Sequence, residues 1–151
     1  SRAFPEFSSD LNYIKNELMI HIHAACRKLR NSGCKCMTIG VMLRTKDFKV
    51  YYDKISVSTP LNFEFEISKE AFPVLKNLYN PKIIYRSVGI VLENFSSFSE
   101  KQLDLFQETD SKKEKLAESL DKLEAKFGRN IVRTGFINKD IPPKQEFLIK
   151  P

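Results

Sequence analysis

Cys34–Thr59 reads CKCMTIGVMLRTKDFKVYYDKISVST. Ile39, Val41 and Leu43 alternate with Thr38, Gly40, Met42 and Arg44, the period of a strand that buries one face. Thr45-Lys46-Asp47 breaks the pattern and a second β-rich run follows, so the stretch predicts a hairpin of two long strands, Lys35–Arg44 and Phe48–Ser58. Ile55 and Val57 turn toward the core, while Lys54, Ser56 and Ser58 share the opposite parity and join Thr38 and Arg44 on a polar face. Val50 and Tyr52 blur that separation near the turn.

Upstream, Leu11, Ile14, Leu18, Ile22, Ala25 and Leu29 step by three and four along one stripe of a helix. Ser9 or Asp10 caps its start, Gly33 lies beyond its end, and Arg27, Lys28 and Arg30 suit the negative end of the helix dipole. Downstream, Ser68 is expected to cap a short helix that buries Ala71, Phe72, Leu75, Leu78 and Tyr79 and ends at Asn80-Pro81, with Pro73 near its first turn. The run KIIYRSVGIVLENF, Lys82 to about Phe95, is apolar enough for a central strand. If SRAF at the start ends a strand, the order is β-α-β-β-α-β: an α+β fold with both helices on one face of a four-stranded sheet. The other face is then open, either solvated or given to a broad polar partner such as a phosphate backbone.

The 151 residues fit one domain or a smaller domain with an extension, and 42% hydrophobic with 29% charged is a globular balance. No apolar run nears the roughly 20 residues that span a bilayer, and no membrane partner is expected. The chain begins without Met, as a fragment of something longer would. Of the net charge of +6, most sits early: residues 1–99 hold 14 Lys and Arg against 9 Asp and Glu, residues 100–151 hold 11 against 10. A positive field favours an anionic partner, nucleic acid first. Cys26, Cys34 and Cys36 follow no disulfide pattern and suit a reducing cytoplasm. With His21 and His23 they invite a metal reading, but CxC is not the usual zinc spacing and histidines two apart on a helix diverge, so no metal site is expected. No Ser/His/Asp constellation, phosphate-cradling glycine loop or paired carboxylates supports an enzyme.

Residues 1–98 thus form the expected domain, and 99–110 a linker. A helix follows over Ser111–Phe127, capped by Ser111 or Asp110, with Leu116, Leu120, Leu123 and Phe127 at helical spacing and Gly128 as its stop. A short strand over Ile131–Phe136 completes residues 111–136, and 137–151, with paired prolines, is a tail. The helix folds back on the domain or docks elsewhere. Within the linker, Gln102-Leu103-Asp104-Leu105-Phe106 sets two leucines and a phenylalanine where no local core is evident.

SRAFPE, ACRKLRNSG, VMLRTKDF, YRSVGIVLENF, QLDLF and LDKLEAKFGRNIVRTG, in that order across residues 1–136, resemble the C-terminal portion of a bacterial Y-family translesion DNA polymerase of the DinB/UmuC type. The resemblance implies the little-finger domain, a non-catalytic β-α-β-β-α-β unit tethered to a catalytic core, its open sheet face along the DNA. It implies no catalytic residue here and no cofactor, the magnesium of the parent enzyme being held by the absent palm. Positions matching the family's backbone-contacting strands are Ser1, Arg2, Thr38, Arg44, Lys54, Ser56, Arg86 and Ser87, although Arg86 shares parity with Val88 and Ile90. Gln102, Leu103, Asp104, Leu105 and Phe106 resemble the peptide that binds the β sliding clamp, Leu105 and Phe106 filling a pocket and the Gln102 amide setting register; the other reading packs them into a local core. The implied function is DNA binding and clamp tethering for an error-prone polymerase in DNA repair and damage tolerance. The partners implied are DNA, the clamp and the catalytic core. The alternative is a protein-interaction module whose sheet face docks to a protein.

Overall fold

The computed structural model describes residues 1–97 and 107–128. Its elements are β1 (Arg2–Ser8), α1 (Leu11–Asn31), β2 (Cys34–Thr45), β3 (Val50–Leu61), α2 (Glu64–Leu78), β4 (Tyr85–Ser97) and α3 (Gln107–Phe127). The sheet runs β1-β4-β2-β3 with every neighbouring pair antiparallel. Strands joined through α1 and through α2 are therefore each separated by one intervening strand, the split β-α-β arrangement expected. The strand expected over 131–136, the tail and the QLDLF peptide lie outside the described residues.

α1 starts where Asp10 accepts a hydrogen bond from the Asn12 amide at 2.9 Å, and closes into Gly33 at φ 63°, a conformation that glycine adopts without steric cost. Its buried stripe is Ile14, Leu18, Ile22, Cys26 and Leu29, with Cys26 in the fully covered place expected of Ala25. These pack on Ile39, Val41 and Leu43 of β2, Val88 and Tyr85 of β4 and Phe4 of β1, and α2 adds Ile67, Ala71, Val74 and Leu75 to the same core. Ile39 pairs with Ile55 and so shares its face, yet Ile55 stays 36% exposed because β3 is the sheet edge.

α2 departs from expectation at its start. It begins at Glu64, four residues before Ser68, behind an N-cap Phe63 that makes no side-chain cap. The carboxylates of Glu64 and Glu66 in the first turn suit the positive end of the dipole, while Ser68 lies inside the helix and its hydroxyl donates to the Phe65 carbonyl at 2.9 Å. Pro73 is correspondingly an interior residue. A proline there costs about 3 kcal/mol in an isolated helix; burial of Ile67, Ala71, Val74 and Leu75 on both sides of it carries the helix through.

Candidate nucleic-acid interface

The face of the sheet away from α1 and α2 follows from register. Thr38 pairs with Ser56, Gly40 with Lys54, Met42 with Tyr52 and Arg44 with Val50, and across β4 Gly40 meets Val91, Met42 meets Gly89 and Arg44 meets Ser87. These rows alternate with Ile39, Val41 and Leu43, which are in the core, so they form the open face. Two glycines flatten it. A Cβ on Gly40 would come within 2.5 Å of the Tyr52 hydroxyl, and one on Gly89 within 2.7 Å of the Ser1 Cβ, so Tyr52 and Ser1 lie over bare backbone.

The residues expected to contact DNA fall into three groups. Ser1, Arg44, Lys54, Ser56 and Ser87 share the open face, but Ser87 is only 5% exposed, and Lys54 Nζ is paired with Glu93 at 3.2 Å. Thr38 is 1% exposed: its hydroxyl accepts from the Asn94 amide at 2.7 Å and lies 3.3 Å from the Ser56 hydroxyl, so it holds neighbouring strands together and is not available to a ligand. Arg2 pairs with core Val88 and therefore belongs by register to the helix-bearing side, apart from the others.

Arg86 is the extra residue of a bulge. Arg44 pairs with Ser87 and Thr45 with Tyr85, so β4 spends one residue more than β2, and the parity with Val88 and Ile90 read from the sequence is broken there. The Arg86 guanidinium lies 4.0 Å from the centroid of the Phe48 ring and 5.4 Å from that of Phe7. It forms no ion pair among the described residues, and neither does Arg44. Phe48 is 67% exposed with φ 67°, an uncommon backbone state for a bulky residue. Neither ring was legible as part of the site: Phe7 lies in an edge strand and Phe48 in the hairpin turn, and what marks them is the bulge, which no sequence period announces.

A second charged feature lies on the helix side. α3 starts at Gln107, inside the segment expected to be a linker, and docks on the C-terminal half of α1. Arg30 donates to both oxygens of Glu64 at 2.9 and 3.0 Å and to both of Asp121 at 2.8 Å. His23 bridges Glu64 Oε1, 3.0 Å from Nδ1, and Glu124 Oε1, 2.6 Å from Nε2; Arg27 donates to the other Glu124 oxygen at 3.2 Å. Burial alone would raise the Glu64 carboxyl, but the hydrogen bonds from His23 and Arg30 outweigh it and hold it below the usual range. Of the stripe read as apolar, Leu116, Leu123 and Phe127 are exposed, and α3 instead buries Ala117 and Glu124.

His21 diverges from His23, and burial, with Arg2 nearby, lowers its pKa. Cys26 and Cys36 are buried, and burial pushes the Cys36 thiol up to about 11, so both are protonated core residues at neutral pH. Among the described residues no group of three His, Cys, Asp or Glu is placed to hold a metal, and no helix is long and apolar enough to cross a membrane.

Residues 1–105 match the model of the impB/mucB/samB family C-terminal domain. The chain is 28% identical over 107 residues to DNA polymerase IV of Clostridium acetobutylicum, covering 70% of this chain and 27% of that protein. It is 26% identical over 150 residues to DNA polymerase IV of Alkaliphilus oremlandii, covering 92% and 37%, and 28% identical over 137 residues to Protein UmuC of Salmonella typhimurium, covering 85% and 32%. The chain thus spans about a quarter to just over a third of the curated relatives it matches. Its fold is similar to that within DinB from Sulfolobus solfataricus, at TM-score 0.55 and 20% identity over 61% of this chain and 26% of that one. A ternary complex of Dbh DNA polymerase gives TM-score 0.51 and 17% identity over 63% and 27%.

Proposed function

The chain belongs to the impB/mucB/samB family C-terminal domains, and on that premise we propose that it serves a Y-family translesion DNA polymerase as the non-catalytic domain that grips duplex DNA and tethers the enzyme to the β sliding clamp. The observation that carries the DNA reading is the open sheet face. It is flattened at Gly40 and Gly89 and carries Arg44, and Arg86 beside it is fixed between two rings. A flat surface with a few oriented guanidinium groups suits a phosphate backbone, because arginine bonds phosphate oxygens bidentately while hydroxyls and backbone amides set position. On this reading chemistry belongs to the polymerase core and its magnesium.

Clamp tethering rests on the peptide Gln102–Phe106. An extended peptide loses entropy on binding, and Leu105 and Phe106 offset that loss by filling a pocket. A second reading, a protein-docking face, has its own support: Tyr52 and Val50 are 45% and 49% exposed on that face, and Lys54 is already paired with Glu93.

Titration of the chain with labelled duplex DNA across a salt series separates the two. The DNA reading expects sequence-independent binding with a dissociation constant of roughly 10⁻⁴ to 10⁻⁶ M at physiological salt. Arg44→Ala and Arg86→Ala each lower the salt slope by about one unit, and Lys54→Ala by less, since Glu93 already shares that charge. Indifference to DNA leaves the protein-docking reading. For the clamp, Leu105→Ala with Phe106→Ala abolishes measurable binding of a bacterial clamp and leaves the melting temperature unchanged; a large fall in stability assigns the peptide to the core instead.

A further inference from the structure

α3 is held unlike α1 and α2. The elements whose backbones pack closely are the sheet, α1 and α2, and α3 is not among them. Its large apolar side chains Leu116, Leu123 and Phe127 are 53%, 42% and 59% exposed, while Glu124 is 3% exposed. Beside the small side chain of Ala117, the contact is made by charge: Glu124 and Asp121 meet α1, Lys113 meets Glu66 at 2.6 Å and Glu114 meets Lys35 at 3.8 Å. Ion pairs that lose most of their hydration gain little net free energy, so an element attached this way detaches more readily than one seated on an apolar seam.

The centre of the contact is an imidazole between two carboxylates. Glu64 on α2 and Glu124 on α3 present one oxygen each to the two ring nitrogens of His23. A carboxylate only accepts, and a neutral imidazole has one N–H; only the imidazolium donates to both. The remaining charged groups are fixed around it. On α1, Arg27 donates to the second oxygen of Glu124 and Arg30 donates to Glu64 and Asp121, so both carboxylates are held ionised, as acceptors, against the ring.

We propose that α3 is a reversible strap on the domain, closed when His23 carries a proton and loosened when it loses it. Loss of the proton leaves a ring lone pair facing one carboxylate. The weaker attachment yields: Glu64 is held by both ends of the Arg30 fork, whereas Glu124 keeps only the Arg27 bond. The direction of the His23 pKa agrees: the Glu64 bond and then the Glu124 bond raise it, against burial, which lowers it. Glu64 faces the ring whether or not α3 is docked, so docking adds the Glu124 bond and raises the pKa above its undocked value; the contribution to docking is complete below the undocked value and is lost as pH rises through the docked-state value. Each pH unit between the two values changes the docked-to-undocked ratio about tenfold. Release would free Arg27 and uncover Ala117.

The test is a proton-carbon NMR titration of the whole chain from pH 5.5 to 9, following the His23 ring and the methyl of Ala117, which is buried on α3 at 3% exposure. The expected result is one midpoint above 6.5 shared by both signals, with the core methyls of Ile39 and Val41 unmoved. Glu124→Gln lowers the His23 midpoint and removes the Ala117 step; His23→Gln removes the step as well. A flat Ala117 methyl across the His23 titration, a His23 midpoint at or below 6.5, an unchanged step in Glu124→Gln, or core methyls moving together with Ala117 would each overturn the strap.

Discussion

Arg86 lies against Phe48 and near Phe7, and the cost of the arrangement falls on Phe48, whose backbone sits at φ 67°. Phe48→Gly relieves that conformation and removes the ring. The two effects are of similar size, about 1 kcal/mol each, so stability should change by less than about 1 kcal/mol. DNA affinity falls nevertheless, because the guanidinium loses its platform. Thermal melting beside a DNA titration checks it; unchanged affinity would mean that the ring plays no part in positioning Arg86. In the core the arithmetic is simpler: Leu43 is fully buried, and Leu43→Ala should cost about 2–5 kcal/mol in urea unfolding. At this scale the sequence is an uneven guide. The alternation of Ile39, Val41 and Leu43 announces which side chains are buried, because burial follows parity. Parity is blind to the bulge at Arg86 and to the hydrogen bonds that bury Thr38, which depend on residues in other strands.

Among the elements, the two helices of the domain differ in legibility. α1 carries its boundary signals in its own residues, Asp10 and Gly33, and was readable at both ends. α2 has no capping side chain and a proline in its interior, so local signals pointed to a start at Ser68 while tertiary burial set it at Glu64. Pro73 is exposed. Pro73→Ala therefore gives up little packing and restores a helix donor, and should raise stability by about 1–3 kcal/mol; a lower melting temperature would show instead that the ring is needed where it lies. α3 reverses the usual sign. Its apolar spacing left open whether the helix folds back on the domain or docks on an absent core; its carboxylates meet the α1 cations, and Leu116, Leu123 and Phe127 face outward. Arg30→Ala leaves Glu64 without its two-oxygen partner and frees Asp121, and should cost about 3–5 kcal/mol, read from the urea midpoint.

For the molecule as a whole, one sheet separates two surfaces. α1 and α2 close one face into the core, the opposite face, with Arg44, Gly40 and Gly89, is open, and α3 attaches on the helix side. The proposed DNA-binding face and the proposed strap therefore lie on different surfaces. The order of the elements was legible because each hydrophobic period is local; which strand lay at the edge, and how far α3 reached back, were not, because both depend on contacts between distant residues. The most direct test of a DNA-gripping face is to map amide chemical-shift changes on titrating the chain with a short duplex. Changes are expected at Gly40, Met42, Arg44, Tyr52, Arg86 and Gly89, fading as salt is raised, with Ile14, Leu18 and Ala71 unmoved. Changes centred on the α1 and α2 surface, or none at any salt, would contradict it.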